Sequence, residues 1–172
     1  MNKQTIYLAG GCYWGVEKYV SNIAGVLETQ VGFANGHIDA PAYVQVKKGD
    51  TGHAETVRVV YDADVLKLET LLRLFFRIID PTSFEKQGED VGNQYRTGIY
   101  WADAADEAIV RAELDKLQSS WEAPIVVEAL PLACFYPAEE YHQQYLDKNP
   151  GGYCHVPWDE IHWVKTVDVS KI

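Results

Sequence analysis

Cysteine is scarce in this chain, with three among 172 residues, and the number is odd. A secreted domain held together by a disulfide framework carries an even number of cysteines, so the count excludes that class. In a reducing compartment, cysteines are more typical of catalytic, redox-active or metal-binding sites. We therefore expect a cytoplasmic protein in which the cysteines are the first candidates for chemistry.

Basic residues are also few, since 15 Lys and Arg face 25 Asp and Glu and give a net charge of −10 at pH 7. A surface that binds nucleic acid or an anionic membrane needs clustered Lys and Arg, so we expect neither partner. Long hydrophobic runs are missing as well, so we expect neither a signal peptide nor a membrane span. We expect a monomer whose partner is a protein or a small neutral molecule.

The length and the 47% apolar content predict a single domain over residues 1–172. Apolar periodicity predicts strands at 4–9, 27–33, 54–61, 98–101 and 125–130, and helices at 13–23, 66–79, 103–118 and 139–146. The order begins β-α-β, β-α-β, which is typical of a ferredoxin-like split βαβ domain. We predict an α+β two-layer sandwich with a further helix and strand appended.

Three segments show no periodicity. Residues 34–53 and 80–97 are predicted to be long irregular loops, which in a compact domain are usually functional. Residues 147–172 are predicted to be an irregular tail, since Asn149-Pro150-Gly151-Gly152 breaks the last helix ahead of Cys154. The two glycines are expected to give that cysteine reach and mobility.

Cys12 follows two glycines at the junction of a predicted strand and a predicted helix. A residue there lies on the first helical turn, where unpaired N–H groups favour an anion. A thiol in that place ionises more readily than a free one, so Cys12 is the candidate nucleophile. Tyr13 and Trp14 follow it and indicate an apolar pocket beside the sulfur. The alternative is a small buried cysteine without a chemical role.

Glu55 begins the strand predicted at 54–61 and shares one side with Val57 and Val59 by two-residue alternation. If that side is buried, the carboxyl prefers its neutral form and can act as an acid near neutral pH. An unperturbed glutamate would be less than about 1% protonated at pH 7. The alternative is a glutamate at the strand edge that faces water.

The loops hold further candidates. Tyr43 and Tyr95 can present phenol hydroxyls as neutral donors, and Asp90 is expected to shape its loop through a turn. His53 near Glu55 suggests a Cys-His hydrolase, but no Asn or Asp is marked as the third member of a triad.

A metal site is another alternative, since Cys134, His142, Cys154 and His155 all lie in the C-terminal part of the chain. Their spacing matches no paired-ligand zinc pattern, so we expect no metal. Cys134 lies in an apolar run and is expected to be an inert core thiol.

Five motifs in order resemble the A-type methionine sulfoxide reductases and span nearly the whole chain. They are Gly11-Cys12-Tyr13-Trp14-Gly15, Gly52-His53-Ala54-Glu55, Asp80-Pro81-Thr82-Ser83, residues 90–96, and Lys148-Asn149-Pro150-Gly151-Gly152-Tyr153-Cys154. The resemblance implies reduction of the S epimer of methionine sulfoxide, free or within oxidised proteins. It also implies that no cofactor is bound and that thioredoxin restores the enzyme.

The resemblance assigns a role to each motif residue. It implies a nucleophile at Cys12, a methyl-binding pocket at Tyr13 and Trp14, groups that handle the sulfoxide oxygen at Glu55, Tyr43 and Tyr95, a supporting carboxylate at Asp90, and a recycling cysteine at Cys154. Attack would leave Cys12 as a sulfenic acid, which condenses with a second thiol to a disulfide.

The chain departs from the family pattern in two ways. Most relatives carry Phe at the position of Tyr13, so this chain adds a hydroxyl beside an apolar pocket. Some relatives place a further cysteine after the recycling one, whereas the tail after Cys154 has none. We therefore expect a direct Cys12–Cys154 disulfide, and the role of Cys134 is open.

Two other functions stay open. One is a binding module that recognises methionine-containing segments through Tyr13 and Trp14 without turnover, but such a module would not need a second tethered thiol. The other is a general thiol peroxidase, which would consume peroxide with no preference for methyl sulfoxides.

Overall fold

A six-stranded sheet forms the centre of the protein in a computed structural model that describes residues 1–172. The strands are, in chain order, β1 Lys3–Gly10, β2 Val26–Ala34, β3 Ala54–Asp62, β4 Lys86–Gln87, β5 Asp90–Val91, β6 Thr97–Trp101, β7 Glu128–Pro131 and β8 Phe135–Pro137. The sheet order is β7-β6-β1-β3-β2-β8, and β4 and β5 form a separate hairpin. Within the sheet only β6 and β7 run parallel.

Six helices accompany the strands. They are α1 Tyr13–Val20, α2 Tyr43–Lys47, α3 Leu68–Phe76, α4 Asp106–Ser119, α5 Tyr145–Lys148 and α6 Trp158–Val164, with short 3₁₀ turns at Asn93–Tyr95, Glu140–His142 and Val169–Lys171. None of the helices is both long and apolar enough to span a bilayer.

The two loops that were predicted to be irregular contain short elements. The loop 34–53 contains α2, and the loop 80–97 contains the β4–β5 hairpin and a 3₁₀ turn.

The four central strands have the order β6-β1-β3-β2 with antiparallel neighbours throughout. β7 and β8 widen the sheet at its two edges, so the architecture is a mixed α/β fold, and the ferredoxin-like description of the whole chain is not confirmed. The predicted strand at 125–130 lies at Glu128–Pro131 instead. Strand β8 escaped prediction because three residues are too few to show alternation.

One apolar core joins the sheet to the helices. It contains Leu8 of β1, Val57 of β3, Val16 of α1, Leu71 of α3 and Ile161 of α6, each fully buried. Burying a side chain of this kind stabilises the fold by about 1.5–3 kcal/mol. The core therefore ties the chain's first strand to its last α-helix.

Two glycines shape the end of β1. A Cβ on Gly10 would lie 2.8 Å from Cε1 of Phe75, so α3 packs directly against the strand end. Gly11 has φ +90°, a backbone conformation that side chains with a Cβ rarely adopt. The chain turns there from β1 into α1, and this turn presents Cys12.

The tail predicted to be irregular over 147–172 contains a helix. Ile161 and Val164 of α6 are buried in the main core, and Arg77, the C-cap residue of α3, forms two hydrogen bonds of 3.0 Å with the Glu160 carboxylate. The prediction missed α6 because its seven residues give too short a run for a helical period.

The helix predicted at 139–146 is broken into the 3₁₀ turn and α5. Gln144 adopts left-handed backbone angles with φ +47°, and its N–H donates to Glu17 Oε1 at 2.8 Å. The Gln143 side chain turns inward, where it accepts from the Val31 N–H at 2.9 Å and donates to the Val31 oxygen at 2.9 Å. These tertiary hydrogen bonds replace those of a continuous helix.

We expect Gln143→Ala to lower the free energy of unfolding by about 2–3 kcal/mol, because it leaves the buried Val31 N–H without its partner. Urea denaturation followed by circular dichroism measures the change. Gln4→Ala removes only an exposed contact with Asn2 and should cost less than about 0.5 kcal/mol. Equal losses in the two variants would contradict this account of the break.

Candidate active site

Cys12 is the N-cap residue of α1, and its side chain is 7% exposed. The thiol is therefore nearly covered but reaches the surface at the helix N-terminus. It lies at the junction that the sequence predicted, between the end of β1 and the first turn of α1.

Glu55, the second residue of β3, is 1% exposed and faces inward. The Tyr13 N–H, the first of α1, donates to its Oε1 at 3.2 Å. Burial raises the pKa of Glu55 to about 8, and the nearby Asp90 charge adds to this while the Tyr13 N–H opposes it. With a pKa near 8, about nine tenths of the Glu55 carboxyls carry a proton at pH 7.

The structure reverses the expectation that Cys12 ionises more readily than a free thiol. Burial, and after it the charge of Glu55, raises the pKa of Cys12, while the Trp14 N–H lowers it by less. Two acidic groups, Cys12 and Glu55, lie at the N-terminus of α1, and the first N–H of the helix donates its hydrogen bond to Glu55. Removing water from a thiolate therefore costs more than the remaining N–H recovers.

The two long loops each place a tyrosine near Glu55, Tyr43 from one and Tyr95 from the other. Tyr43 is the first residue of α2, and Tyr95 ends the 3₁₀ turn Asn93–Tyr95. Burial raises the pKa of both phenols, that of Tyr43 to about 12, and the second cause for each is the charge of Glu55. Both residues thus keep their hydroxyl hydrogens and are neutral donors near the Glu55 carboxyl.

Asp90 lies in β5 rather than in the turn predicted for it. Its charge adds a little to the raised pKa values of Cys12 and Glu55, whose main cause is burial. Asp90 Oδ2 accepts a hydrogen bond from the Tyr153 hydroxyl at 2.8 Å. Tyr153 was not a predicted site residue, and nothing in the sequence connects it with Asp90.

Trp14 is held by two residues that sequence reasoning did not assign to it. Its ring stacks on Tyr145 with centroids 3.7 Å apart, and its Nε1–H donates to His142 Nδ1 at 3.2 Å. Burial lowers the pKa of His142, which keeps the ring neutral and able to accept. In the predicted helix 139–146 the three-residue spacing puts His142 and Tyr145 on one face, but nothing in the sequence connects that face with Trp14.

Cys154 is half-buried, and all three cysteines are free. A Cβ on Gly15 would lie 3.2 Å from its Sγ, so the thiol rests against α1 three residues after Cys12. The structure therefore brings the two cysteines to the same end of one helix. Cys134, predicted to be a core thiol, is only half-buried, with its Sγ 3.7 Å from the Gly36 oxygen.

The His53 side chain has a structural role. Its Nδ1 accepts from the Gly36 N–H at 3.1 Å, and its Nε2 lies 2.6 Å from the Ile38 oxygen. These bonds hold the loop after β2, and both ring nitrogens are engaged away from Cys12. No group of three or more His, Cys, Asp or Glu side chains is arranged to hold a metal ion.

Comparison with known proteins gives one consistent result. The family model for peptide methionine sulfoxide reductase matches residues 4–168. The peptide methionine sulfoxide reductase MsrA of Lachnoclostridium phytofermentans is 57% identical over 156 residues, which cover 91% of this chain and 93% of that protein.

Two solved structures of Mxr1 from Saccharomyces cerevisiae are also similar. The reduced form is 40% identical, with a TM-score of 0.84 and 89% of each chain covered. The complex of Mxr1 with Trx2 gives 25% identity and a TM-score of 0.60, covering 84% of this chain and 85% of that one. The present structure, with its free cysteines, is thus closer to the reduced form than to the complexed one.

Glu55 should make the stability of the protein depend on pH. Its pKa of about 8 in the folded state lies above the ordinary 4.5, so the folded chain binds more protons between these values. The free energy of unfolding therefore decreases as pH rises from about 4.5 to about 8. We expect Glu55→Gln to remove this decrease and to be more stable than the parent at pH 8.5, by about 2–5 kcal/mol.

Denaturant titrations at pH 5 and 8.5 measure this difference. Glu140→Gln is the control, because that side chain is 88% exposed and its variant should keep the pH profile of the parent. A Glu55→Gln protein with the profile of the parent would show that Glu55 is ionised at neutral pH.

We expect the hydroxyl of Tyr13 to lower the free energy of unfolding. The residue is 1% exposed, its ring lies 5.8 Å from that of Phe33, and its hydroxyl is buried without a hydrogen-bond partner. Since an unpaired buried hydroxyl costs free energy, we expect Tyr13→Phe to raise the free energy of unfolding by about 1 kcal/mol. Thermal denaturation tests this, and a less stable variant would mean that the hydroxyl has a partner.

Proposed function

The chain belongs to the peptide methionine sulfoxide reductase family, and on that basis and the geometry of the site we propose that it reduces the S epimer of methionine sulfoxide. The substrate is either free or part of an oxidised protein. The single observation that carries the proposed mechanism is the buried Glu55, with a pKa near 8, bound to the same helix end as Cys12.

The first step moves one oxygen atom. A sulfoxide is a poor electrophile until its oxygen is protonated, so the reaction needs an acid on one side and a sulfur nucleophile on the other. Glu55 gives its proton to the oxygen while Tyr43 and Tyr95 donate hydrogen bonds. Cys12 attacks the sulfur, methionine leaves, and Cys12 holds the oxygen as a sulfenic acid. The substrate sulfur gains the two electrons that the cysteine sulfur loses.

The raised pKa values of Cys12 and Glu55 suit this step. Each charge disfavours the other, so the site accommodates one negative charge more readily than two. Both groups are mostly protonated at pH 7, so Glu55 passes its proton to the sulfoxide oxygen while the Cys12 sulfur attacks and the thiol proton moves to the Glu55 carboxylate. The charge of the buried site therefore stays constant through the transition state, and no second ion has to be desolvated.

Trp14 and Tyr13 are the proposed pocket for the substrate methyl group. Trp14 is fixed on two sides by Tyr145 and His142, so its ring presents a rigid apolar wall. A preorganised wall of this kind favours one orientation of the three groups on the sulfoxide sulfur. This supports selection of one epimer.

Recycling uses the second thiol. Cys154 attacks the Cys12 sulfenic acid, a disulfide forms and water leaves. The dithiol of thioredoxin then reduces the disulfide and becomes oxidised itself. Support comes from the position of the Cys154 thiol against Gly15 of α1 and from the complex of the related Mxr1 with Trx2.

No prosthetic group takes part in this scheme. We propose that the enzyme works as a monomer over a single domain and in the cytoplasm, where thioredoxin is kept reduced. A binding module would have no use for Cys154 against the helix of Cys12, which favours the enzyme.

The test is turnover of the separate R and S epimers of a methionine sulfoxide substrate with a dithiol reductant. We expect methionine from the S epimer only, and a Cys12–Cys154 crosslink by mass spectrometry when the reductant is left out. Glu55→Gln should lower the rate by about 10²–10⁴-fold, because the acid is lost.

Three cysteine variants complete the experiment. Cys12→Ser should give no methionine, and Cys154→Ser should stop after about one methionine per enzyme. Cys134→Ser is the matched control and should turn over like the parent. Equal conversion of both epimers, or consumption of peroxide without preference for the sulfoxide, would refute the proposal.

A further inference from the structure

His155 follows the recycling cysteine and is bound to the strand that leads to the nucleophile. Its Nε2 lies 3.0 Å from the Gly10 oxygen at the end of β1. A carbonyl oxygen only accepts, so Nε2 carries the hydrogen and donates it. This hydrogen bond connects the residue beside Cys154 to the residue two before Cys12.

Two glycines beside Cys12 make room for this side chain. A Cβ on Gly11 would lie 3.2 Å from His155 Nε2, and one on Gly15 would lie 3.3 Å from His155 Nδ1. The imidazole therefore packs on both glycines that flank the Cys12-Tyr13-Trp14 run. The glycines of this motif admit the Cys154 segment, residues 153–156, as well as shaping the helix start.

Stability alone does not account for His155. Its Nδ1 is buried without a hydrogen-bond partner, and such an atom costs free energy. Burial also lowers the pKa of the ring, so the imidazole is held neutral. A residue kept at a cost next to two reacting thiols suggests a functional role.

The remaining attachments of this segment differ in kind. Val156 is buried in the main core, the Tyr153 hydroxyl is bonded to Asp90 in an exposed contact, and a Cβ on Gly151 would meet nothing within 4 Å. Before Cys154 only Gly151 is therefore open, since Gly152 packs against Tyr145, and the chain after Cys154 is fixed in the core. Only His155 connects the segment by a hydrogen bond to the strand end that leads to Cys12.

We propose that His155 is a positioning residue for recycling, which anchors Cys154 beside Cys12 through its hydrogen bond to the Gly10 carbonyl. This inference rests on the proposed function, since it concerns the step in which Cys154 attacks the Cys12 sulfenic acid. Attack requires the two sulfurs to meet along one line, and an anchored thiol spends less time away from that geometry.

The test compares two amides in place of the imidazole. His155→Gln puts an N–H donor close to the position of Nε2, within reach of the Gly10 oxygen. His155→Asn puts one close to the position of Nδ1, too short to reach it. Reduced enzyme is mixed with one equivalent of the S epimer, and samples are quenched with a thiol-blocking reagent. Mass spectrometry then follows methionine, sulfenic acid and the Cys12–Cys154 disulfide.

We expect His155→Asn to form the disulfide about three- to tenfold more slowly, the loss expected for one hydrogen bond, while sulfenic acid accumulates. His155→Gln should stay within about twofold of the parent, since it keeps the donor. His162→Ala is the control, because that histidine lies on the exposed face of α6 in the same tail.

Gly15→Ala tests the same inference by displacing the Cys154 segment while His155 itself is unchanged. The new Cβ would lie 3.1 Å from Val156 Cγ2 and 3.2 Å from Cys154 Sγ, so it should push the segment away and slow the disulfide as well.

The outcomes separate the two proposals. Failure of the parent to make methionine would refute the proposed function. With the parent active, disulfide formation at the parental rate in His155→Asn would overturn the anchor. Equal slowing in His155→Gln and His155→Asn would overturn it too, since the imidazole and not its N–H donor would then be what matters.

Discussion

The burial of the Glu55 carboxyl against the first turn of α1 is the constraint on which the rest of the site depends. The Tyr13 N–H donates to Glu55 Oε1 at 3.2 Å, so the helix that carries Cys12 also holds the acid. In water this carboxyl would be ionised at neutral pH, whereas burial keeps it protonated. The start of α1 thus fixes the acid beside the residue that carries the thiol, and burial keeps the acid protonated.

The surroundings of this pair show why the fold tolerates unpaired polar atoms. Six buried side-chain atoms have no hydrogen-bond partner, and three of them belong to Tyr13, His142 and His155, which flank the Cys12–Glu55 pair. Each costs free energy in the folded state. They are compatible with a stable protein because the main core, which runs from β1 to α6, supplies the favourable burial.

The same core also places the C-terminal segment, which carries the cysteine proposed for recycling. α6 fixes the tail through Ile161 and Val164, and Val156 packs into the main core just after Cys154. Before Cys154, Gly151 is open to solvent, whereas Gly152 packs against Tyr145 and Tyr153 is bonded to Asp90. Contacts on both sides of Cys154 therefore hold its thiol against α1, which is the placement that the proposed recycling step needs.

The sequence by itself determined the central strands, the three main helices and the place of Cys12 at the start of α1, because amphipathic periods and short motifs are local properties. It could not predict the strand β8 or the helix α6, because both are too short to show a period. It could not predict the break at Gln144 either, because tertiary hydrogen bonds cause it. It also gave the wrong direction for the pKa of Cys12, because a helix end is visible in sequence but desolvation is not. The partners of Trp14, Asp90 and Cys154 were decided only by the tertiary structure, since packing joins residues far apart in the chain and no local pattern records which of them meet.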